Sequence, residues 1–271
     1  MAVTYSFPHC VLTACAALSL QPSLPASAQQ QETSRLQTIV ESGTLRVCQY
    51  PLYYSISYRN PSSGEIEGID ADLSKELAKE LGVELDIVES SFGTFIADLQ
   101  ANKCDIGMFG VGATLQRAQA VEFSKPYLLT SIYAIVKKDG PIKTWSDIDQ
   151  PGRHVVTTLG SYIEPFMGSY LKSAEFTSIA PPATREGELM ANRADVVMSD
   201  YPTAVMLEEQ FDWVSVISPD EPLRLTPYSY VVPQGDQIWL NYVNLFVDTI
   251  KLDGRLEYFA EKNKLGPIVA P

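Results

Sequence analysis

Residues 110–127 read GVGATLQRAQAVEFSKPY, and this stretch decides how the rest of the chain is interpreted. The apolar run at 104–109 predicts a buried strand, so Gly110 and Gly112 fall in the turn where that strand ends. Small residues leave backbone N–H groups uncovered, and a helix that begins just afterwards makes such a turn suited to an anion. Arg117 lies in the predicted first helical turn, where a guanidinium can bind a carboxylate through two parallel hydrogen bonds. An arginine on a solvated helix face is the alternative.

On both sides of this stretch the hydrophobic pattern alternates between short strands and amphipathic helices, which is typical of layered α/β folds. Leu45 to Cys48 predicts the first strand. Asp70 is then expected to cap a helix with one apolar stripe that ends at Gly82. A charged last helix is predicted over 255–264, after a longer amphipathic one over 238–250. Further strands are predicted at 83–89, 104–109, 132–136, 155–158, 196–198 and 214–217.

Composition and charge exclude several classes of function. The chain has 271 residues and a formal net charge of −13, so phosphate backbones and anionic membrane surfaces are unfavourable partners, and we expect no nucleic acid. Only His9 and His154 occur, and His9 lies in the predicted leader, so we expect His154 to be structural and expect no histidine-based triad and no histidine-rich metal site. No P-loop or complete dinucleotide fingerprint is present, and helix capping is favoured over calcium binding for Asp70 and Asp72. We therefore expect no metal and no cofactor.

The first 31 residues carry no charged side chain, and they predict a leader. An apolar stretch from Cys10 to Leu20 is followed by Ala26-Ser27-Ala28, the pattern that a signal peptidase reads, so residues 1–28 are predicted to be a signal peptide. We therefore expect the mature protein to be exported to the periplasm. A lipobox-like sequence that ends at Cys15 makes lipid anchoring the alternative.

Two cysteines, Cys48 and Cys104, remain after the leader, and an exported protein invites a disulfide between them. Cys48 lies near the end of one predicted strand and Cys104 at the start of another. If these strands are parallel neighbours, the thiols lie at opposite ends, whereas a bridge needs Cα atoms within roughly 7 Å. We therefore expect two buried free thiols.

Thr-x-x-Arg followed by Phe-Ser-x-Pro-Tyr, within 114–127, resembles the type II periplasmic solute-binding proteins of amino-acid ABC importers. The likeness extends over the mature chain through LRV at 45–47, GIDADL at 68–73, CDIGM at 104–108, GSYIE at 160–164, ADVVMSDYP at 194–202 and DGRL at 253–256. The resemblance implies an α/β fold of two lobes joined by two hinge crossings, with the ligand bound between the lobes. The crossings are expected near 127–131 and 225–228. Residues 32–127 with 229–271 would form lobe 1, and residues 128–228 lobe 2.

The same resemblance implies roles for individual residues. Arg117 matches the carboxylate-binding arginine, and Gly110 the residue whose backbone assists it. Gly112 replaces a threonine found in many relatives, which leaves Ser161 as an opposing donor. Asp200 matches the acid that receives an ammonium group, although it also fits a helix cap before Pro202. The aromatic walls of the site match Phe92 and Tyr53, which equally fit a hydrophobic core.

The loop after the first strand departs from the family pattern. Leu52 stands where amino-acid binders often have aspartate, so one counter-charge for an ammonium group is missing. Losing such a buried charged hydrogen bond costs roughly 2 to 3 kcal/mol of binding free energy. A plain α-amino acid is therefore expected to bind less tightly than it does to those binders. The tyrosines at 50, 53, 54 and 58 hint at an aromatic or amphipathic ligand.

The fold also resembles the secreted cyclohexadienyl dehydratases, which act on prephenate or arogenate. Glu164 is then the candidate general acid, and the alternative is an acidic residue favoured in a helix's first turn. The main prediction is a non-enzymatic, extracytoplasmic protein. It captures a small carboxylate-bearing solute, an amino acid or a relative, by lobe closure, and docks on the membrane permease of an ABC importer. A sensor role for the same module is a third possibility.

Overall fold

The computed structural model describes residues 1–6 and 33–271. The predicted cleavage site after Ala28 and the lipobox at Cys15 lie outside the described residues. The helices are α1 (Arg35–Ser42), α2 (Ile69–Leu81), α3 (Phe95–Gln100), α4 (Ile163–Tyr170), α5 (Arg185–Met190), α6 (Tyr201–Gln210), α7 (Gln237–Leu252) and α8 (Arg255–Lys262). The strands are β1 (Thr44–Gln49), β2 (Leu52–Tyr53), β3 (Ser57–Arg59), β4 (Ile66–Glu67), β5 (Glu84–Glu89), β6 (Ile106–Gly112), β7 (Glu122–Thr130), β8 (Ile132–Lys137), β9 (His154–Thr158), β10 (Glu175–Ile179), β11 (Val196–Asp200), β12 (Val214–Ile217) and β13 (Thr226–Val232).

Two five-stranded sheets organise residues 33–271. The first has the order β5-β1-β6-β13-β7, with β5, β1 and β6 parallel and β13 antiparallel to both of its neighbours. The second has the order β10-β9-β11-β8-β12, with β8 antiparallel to β11 and β12. A small sheet, β2-β3-β4, fills the loop after β1. We call the layers built on the first and second sheets the first and second lobes. The small sheet belongs to the first lobe, because it contacts α2, which packs on the first sheet.

The chain passes between the two sheets twice. It leaves the first sheet at Thr130 and enters the second at Ile132; it leaves the second at Ile217 and re-enters the first at Thr226. The two passages lie side by side and are joined by two hydrogen bonds. The Ser131 hydroxyl and the Ile132 N–H both donate to the Leu223 carbonyl, at 2.9 and 3.1 Å. The lobe limits at 127/128 and 228/229 stay a prediction.

The predicted helix that ends at Gly82 forms, but Asp70 does not cap it. The helix begins at Ile69 after Gly68, and no side chain caps its start. Gly68 has φ +127°, and a Cβ there would lie 2.4 Å from the Ile56 carbonyl oxygen, so only glycine fits this entry to the helix. Gly82 ends the helix in the left-handed conformation, as predicted. Instead of capping the helix, the Asp70 side chain lies in the core, and none of its surface is exposed.

The prediction of two free thiols is wrong. Cys48 and Cys104 form a disulfide, with their Cα atoms 5.5 Å apart. The strands are parallel neighbours, which was the condition of that prediction, but their register is staggered: Ile106, the first residue of β6, lies opposite Val47 near the end of β1. The start of β6 therefore lies beside the end of β1, and this stagger brings the two cysteines together.

The long helix α7 covers the first sheet with the apolar stripe that its sequence predicts. Trp239, Val243, Phe246, Val247 and Ile250 are buried on that stripe. The Trp239 indole N–H donates to the Asp105 carbonyl at 3.0 Å, so the polar atom of this large buried side chain is satisfied. No helix within residues 1–6 and 33–271 is long and apolar enough to cross a membrane.

Candidate functional site

Arg117 lies between the two lobes and is buried. It begins a single 3₁₀ turn, Arg117–Gln119, rather than the first turn of an α-helix, and only 8% of its surface is exposed. Its Nη1 donates to the Gly112 carbonyl at 2.9 Å, and its Nη2 donates across the lobes to the Gly160 carbonyl at 2.8 Å. The alternative of a solvated helix face is therefore wrong.

The Arg117 guanidinium has aromatic neighbours and no acidic partner. It lies 5.8 and 5.3 Å from the ring centres of Phe92 and Phe95. The ion pairs formed within residues 33–271 do not include Arg117. Burial lowers its pKa to about 10, so the guanidinium remains a buried cation at neutral pH.

Gly110 and Gly112 make room for tyrosine rings. Gly110 has φ +63°, and a Cβ there would lie 2.8 Å from the Tyr53 ring. A Cβ at Gly112 would lie 2.8 Å from the ring of Tyr162. The expectation of uncovered N–H groups is wrong for Gly110, since its N–H donates to Asp70 Oδ2 at 2.7 Å.

Asp70 supports the Gly110 turn from behind. Its Oδ2 also accepts the Tyr127 hydroxyl at 2.6 Å, and its side chain is enclosed in the first lobe. Burial raises the pKa of the Asp70 carboxyl to about 7, although the hydrogen bonds from Tyr127 and Gly110 act in the opposite direction.

Asp200 ends β11 and faces the first lobe. Its Oδ1 accepts the Thr203 N–H at 3.4 Å, so it caps α6, as its alternative interpretation proposed. Its Oδ2 accepts the hydroxyls of Tyr53 and Tyr228, both from the first lobe. These two hydroxyls lie 2.7 Å apart, and all three side chains are buried.

The loop before α4 carries Gly160 and Ser161. The helix begins at Ile163, so Gly160 and Ser161 precede it. The Gly160 N–H donates to Glu164 Oε2 at 2.6 Å, while its carbonyl accepts Arg117. The buried Ser161 hydroxyl makes no hydrogen bond to the protein atoms described. Glu164 therefore lies in the first turn of α4, against the same loop that Arg117 contacts.

Phe92 and Tyr53 belong to an aromatic cluster at the edge of the first lobe. Their ring centres lie 5.5 Å apart, and Phe92 lies 5.3 Å from Tyr50. Tyr53 is fully buried, whereas Phe92 is half-buried. Phe92 thus lies beside Arg117, and Tyr53 contacts Asp200. Both also pack in the hydrophobic core, as the alternative interpretation expected.

Sequence reasoning missed three residues at this cleft. Tyr162 and Tyr228 pack against each other edge-on, with ring centres 6.1 Å apart. Tyr228 reaches the cleft only because β13 returns to the first sheet, which no local pattern reveals. Arg185 begins α5 and lines a cavity of about 130 Å³ between the lobes, together with Tyr50, Tyr54 and Thr158.

A larger cavity, of about 630 Å³, lies at the opposite end of the second sheet. Lys137, Ile142, Met190 and Trp213 are among its lining residues, and none of the predicted site residues is. Across the described part of the chain, no three His, Cys, Asp or Glu side chains are grouped closely enough to hold a metal ion.

Comparison with known proteins identifies the family. The model of the bacterial extracellular solute-binding proteins, family 3, matches residues 45–265. The chain belongs to this family. The structure also superimposes on known two-lobe amino-acid-binding proteins. The predicted α/β fold of two lobes is therefore confirmed.

Two named relatives and one crystal structure are similar to this family 3 protein over most of its length. The cyclohexadienyl dehydratase of Pseudomonas aeruginosa is 31% identical over 94% of this chain and 96% of its own. The L-cystine-binding protein TcyJ of Escherichia coli K12 is 26% identical over 84% and 85%. The crystal structure of AncCDT-1, an ancestral amino-acid-binding protein described as a precursor of cyclohexadienyl dehydratase, is 32% identical over 84% of this chain and 99% of its own, with a TM-score of 0.78.

Proposed function

We propose that this family 3 protein captures a small carboxylate-bearing solute between its lobes, with Arg117 as the carboxylate-binding residue. The observation that carries the proposal is a buried guanidinium with no acidic partner in residues 33–271. A buried charge is costly unless it is paired, and a ligand carboxylate supplies the pair. The remaining proposed site residues are Gly110, Gly112, Ser161, Phe92, Tyr53 and Asp200.

Lobe closure is the proposed binding motion. The hydrogen bond from Arg117 to Gly160 joins a residue of the first lobe to a loop of the second, so a solute on Arg117 contacts both. A ligand that contacts both lobes binds the closed state more tightly than the open state, so it shifts the equilibrium toward closure. The hinges expected near 127–131 and 225–228 stay proposed; the two passages between the sheets, at Ser131 and at residues 218–225, lie at or beside them.

Relatives support a transport role in the periplasm. Several are named as components of amino-acid ABC transporters, including the glutamine-binding protein GlnH of Bacillus subtilis. By analogy, the closed form delivers its solute to the membrane permease of an ABC importer. We propose that residues 1–28 direct export and are removed.

The first experiment is a thermal-shift screen of the protein from Gln29 onwards. Bound solute is removed by unfolding without reductant, which keeps the disulfide, followed by refolding. Amino acids, 2-oxo acids, dicarboxylates and prephenate are tested, and phenylpyruvate absorbance is followed in the prephenate samples. A ligand present at about 100 times its Kd adds roughly 2.7 kcal/mol to the free energy of unfolding, which raises the melting temperature measurably.

Arg117→Met tests the proposal directly. We expect the variant to lose at least about 100-fold in affinity, because a hydrogen-bonded charge pair contributes roughly 3 kcal/mol or more when buried. Isothermal titration calorimetry measures the change. Arg193→Met is the control, since Arg193 is exposed and pairs with Glu188 away from the cleft. If Arg117→Met binds the ligand as tightly as the control does, the proposed site is wrong.

A dehydratase is the second candidate, and one observation favours it. Glu164 lies against the Gly160 loop that Arg117 contacts, so an acid stands near the proposed carboxylate. The Pseudomonas aeruginosa relative, named as a cyclohexadienyl dehydratase, matches over nearly all of both chains. Glu164→Gln separates the two candidates: an enzyme loses its turnover of prephenate, whereas a binding protein keeps most of its affinity.

A further inference from the structure

Asp70 is a buried acid that lies directly behind the proposed binding site. None of its surface is exposed, and it forms none of the ion pairs found within residues 33–271. Its Oδ2 accepts the Gly110 N–H at 2.7 Å and the Tyr127 hydroxyl at 2.6 Å. A buried carboxylate without a cation is costly, and such a group takes up a proton instead.

The titratable groups that face Asp70 are two neutral tyrosines. Tyr127 on β7 and Tyr230 on β13 stack with their ring centres 4.6 Å apart, and burial raises the pKa of both hydroxyls well above the ordinary value. On β1, Gln49 donates from Nε2 to the Asp70 backbone carbonyl at 3.0 Å. Burial raises the pKa of Asp70 to about 7 against the hydrogen bonds that it accepts, and no charged side chain adds to this shift.

Cations on the elements around Asp70 are engaged elsewhere. Lys75 and Lys79, on α2 itself, are exposed. The others pair with different acids: Arg46 on β1 with Asp105, Arg59 on β3 with Glu89, and Arg255 and Lys262 on α8 with Glu76, Glu80 and Asp72. A proton is therefore the means of neutralising Asp70 that its surroundings leave.

Two buried atoms without partners indicate where this proton is held. Asp70 Oδ1 and the Tyr230 hydroxyl oxygen make no hydrogen bond to the atoms of residues 33–271, although Asp70 raises the pKa of Tyr230 and so lies close to it. An ionised carboxylate only accepts hydrogen bonds, whereas a protonated one also donates. A proton on Oδ1 supplies a donor for the Tyr230 oxygen, while Oδ2 keeps its two donors.

The end of β6 connects Asp70 with Arg117. Gly110, which donates to Asp70, comes two residues before Gly112, whose carbonyl accepts Arg117 Nη1 at 2.9 Å. Two residues of extended strand span about 7 Å, so a carboxylate bound to Arg117 lies on the order of 10 Å from Asp70. Two negative charges at this separation inside a protein repel each other enough to change an equilibrium constant roughly tenfold.

We propose that a solute's carboxylate binds at Arg117 together with a proton, which is held on Asp70. The proton comes from solvent and leaves a neutral acid behind the site. This inference rests on the proposed function, since Arg117 must bind the carboxylate. Asp70 acts through the Gly110 turn and does not contact the solute, so it is a positioning residue.

The test measures affinity and proton uptake by calorimetry on the protein from Gln29 onwards. Phenylpyruvate, 2-oxoglutarate, L-glutamate, L-glutamine and L-arginine are titrated at pH 6, and the probe that binds most tightly is followed to pH 9. We expect the affinity to fall roughly tenfold over this range for an anionic probe and at least about threefold for a zwitterion. At pH 7.5, titrations in HEPES and in Tris, which differ in ionisation enthalpy, should show uptake of about half a proton per bound probe.

Asp70→Asn is the decisive variant, because asparagine offers one acceptor and one donor as the neutral acid does. We expect it to bind the probe at pH 6 within about threefold of the wild type, to lose the fall in affinity and to take up no proton. This comparison also cancels any titration of the probe itself. Asp72→Asn is the control, since Asp72 lies on the same helix and pairs with Lys262, and it should keep the wild-type pH profile.

Tyr127→Phe is a second variant with a different signature, and it replaces Asp70→Asn if that protein does not fold. The Tyr127 hydroxyl donates to Asp70 and lowers the pKa of its carboxyl. Without this donor the ionised form is less stable, so the fall in affinity should move to higher pH.

The outcomes separate this inference from the proposed function. If Arg117→Met abolishes binding but Asp70→Asn shows the same fall in affinity as the wild type, the inference is wrong and the proposed function stands. A wild-type affinity that changes less than about twofold, equal binding enthalpies in the two buffers, or an unmoved profile in Tyr127→Phe lead to the same conclusion. If Arg117→Met binds the probe as tightly as the wild type does, or if no probe binds, both are wrong.

Discussion

At the scale of single residues, the surroundings of a side chain decide its role. Asp70 has the sequence context of a helix cap, yet it lies one residue inside α2 and is enclosed by the first lobe. There it accepts the Gly110 N–H and the Tyr127 hydroxyl, and so fixes the turn beneath Tyr53. Arg117 likewise resembles a surface arginine in sequence and is buried between lobes in the structure.

Asp70 is expected to make stability depend on pH. Burial raises its pKa from the ordinary 3.8 to about 7, so between these values the native state holds a proton that the unfolded state has released. The stabilising contribution is complete below about pH 4 and is lost as the pH rises through 7. Asp70→Asn keeps the acceptor oxygen and does not titrate. The free energy of unfolding of the variant, relative to the wild type, should therefore rise by up to about 4 kcal/mol across this range.

Urea unfolding of both proteins at a series of pH values measures this difference. Above about pH 8 Asp70 is ionised in both states, so the difference should become flat, which is an internal control. A difference that stays constant or falls between about pH 4 and 7 would contradict the assignment of a protonated, buried Asp70.

At the scale of elements, the pairing of β1 with β6 positions the site. The staggered register places the end of β1 beside the start of β6, so β6 extends past β1 and carries Gly110 and Gly112 to the cleft. The Cys48–Cys104 disulfide ties the two strands at the point where the stagger begins. It also closes α2, β5 and α3 into one covalent loop.

Removing this disulfide is expected to destabilise the protein without unfolding it. The bridge spans 56 residues, a separation for which the loss of a disulfide costs roughly 2–4 kcal/mol. Urea unfolding of the Cys48→Ala/Cys104→Ala double variant should show this decrease. Reductant should shift the wild-type midpoint and leave the double variant unchanged. A wild-type midpoint that reductant does not move would argue against the bridge.

At the scale of the whole molecule, hydrogen bonds between the lobes hold the structure closed. Asp200 accepts Tyr53 and Tyr228, Gly160 accepts Arg117, and Glu186 accepts Tyr54; in each case the donor lies in the first lobe and the acceptor in the second. Closure therefore depends on a few polar contacts as well as on the ligand. A change in one of them should shift the balance between open and closed forms.

Tyr53→Phe is expected to open the ligand-free protein. The variant keeps the ring and removes one hydrogen bond to a carboxylate, worth roughly 1.5–3 kcal/mol, so the ratio of open to closed molecules should rise at least about tenfold. Small-angle X-ray scattering should show a larger radius of gyration. Tyr127→Phe is the matched control, because its hydroxyl binds Asp70 within the first lobe. Equal radii for the two variants would show that Tyr53 does not contribute to closure.

The sequence by itself determined the layered α/β fold, most strand and helix positions, and the cleft residues Arg117, Asp200, Phe92 and Tyr53. The fold and the element positions follow from hydrophobic periodicity and glycine placement, which are properties of local segments. The four cleft residues follow from the resemblance of ordered motifs to those of the solute-binding family. The tertiary structure alone decided the disulfide, the role of Asp70, and the presence of Tyr162, Arg185 and Tyr228 at the cleft. Strand register and the contacts between lobes arise from pairings of distant segments, and no local pattern encodes which side chains those pairings bring together.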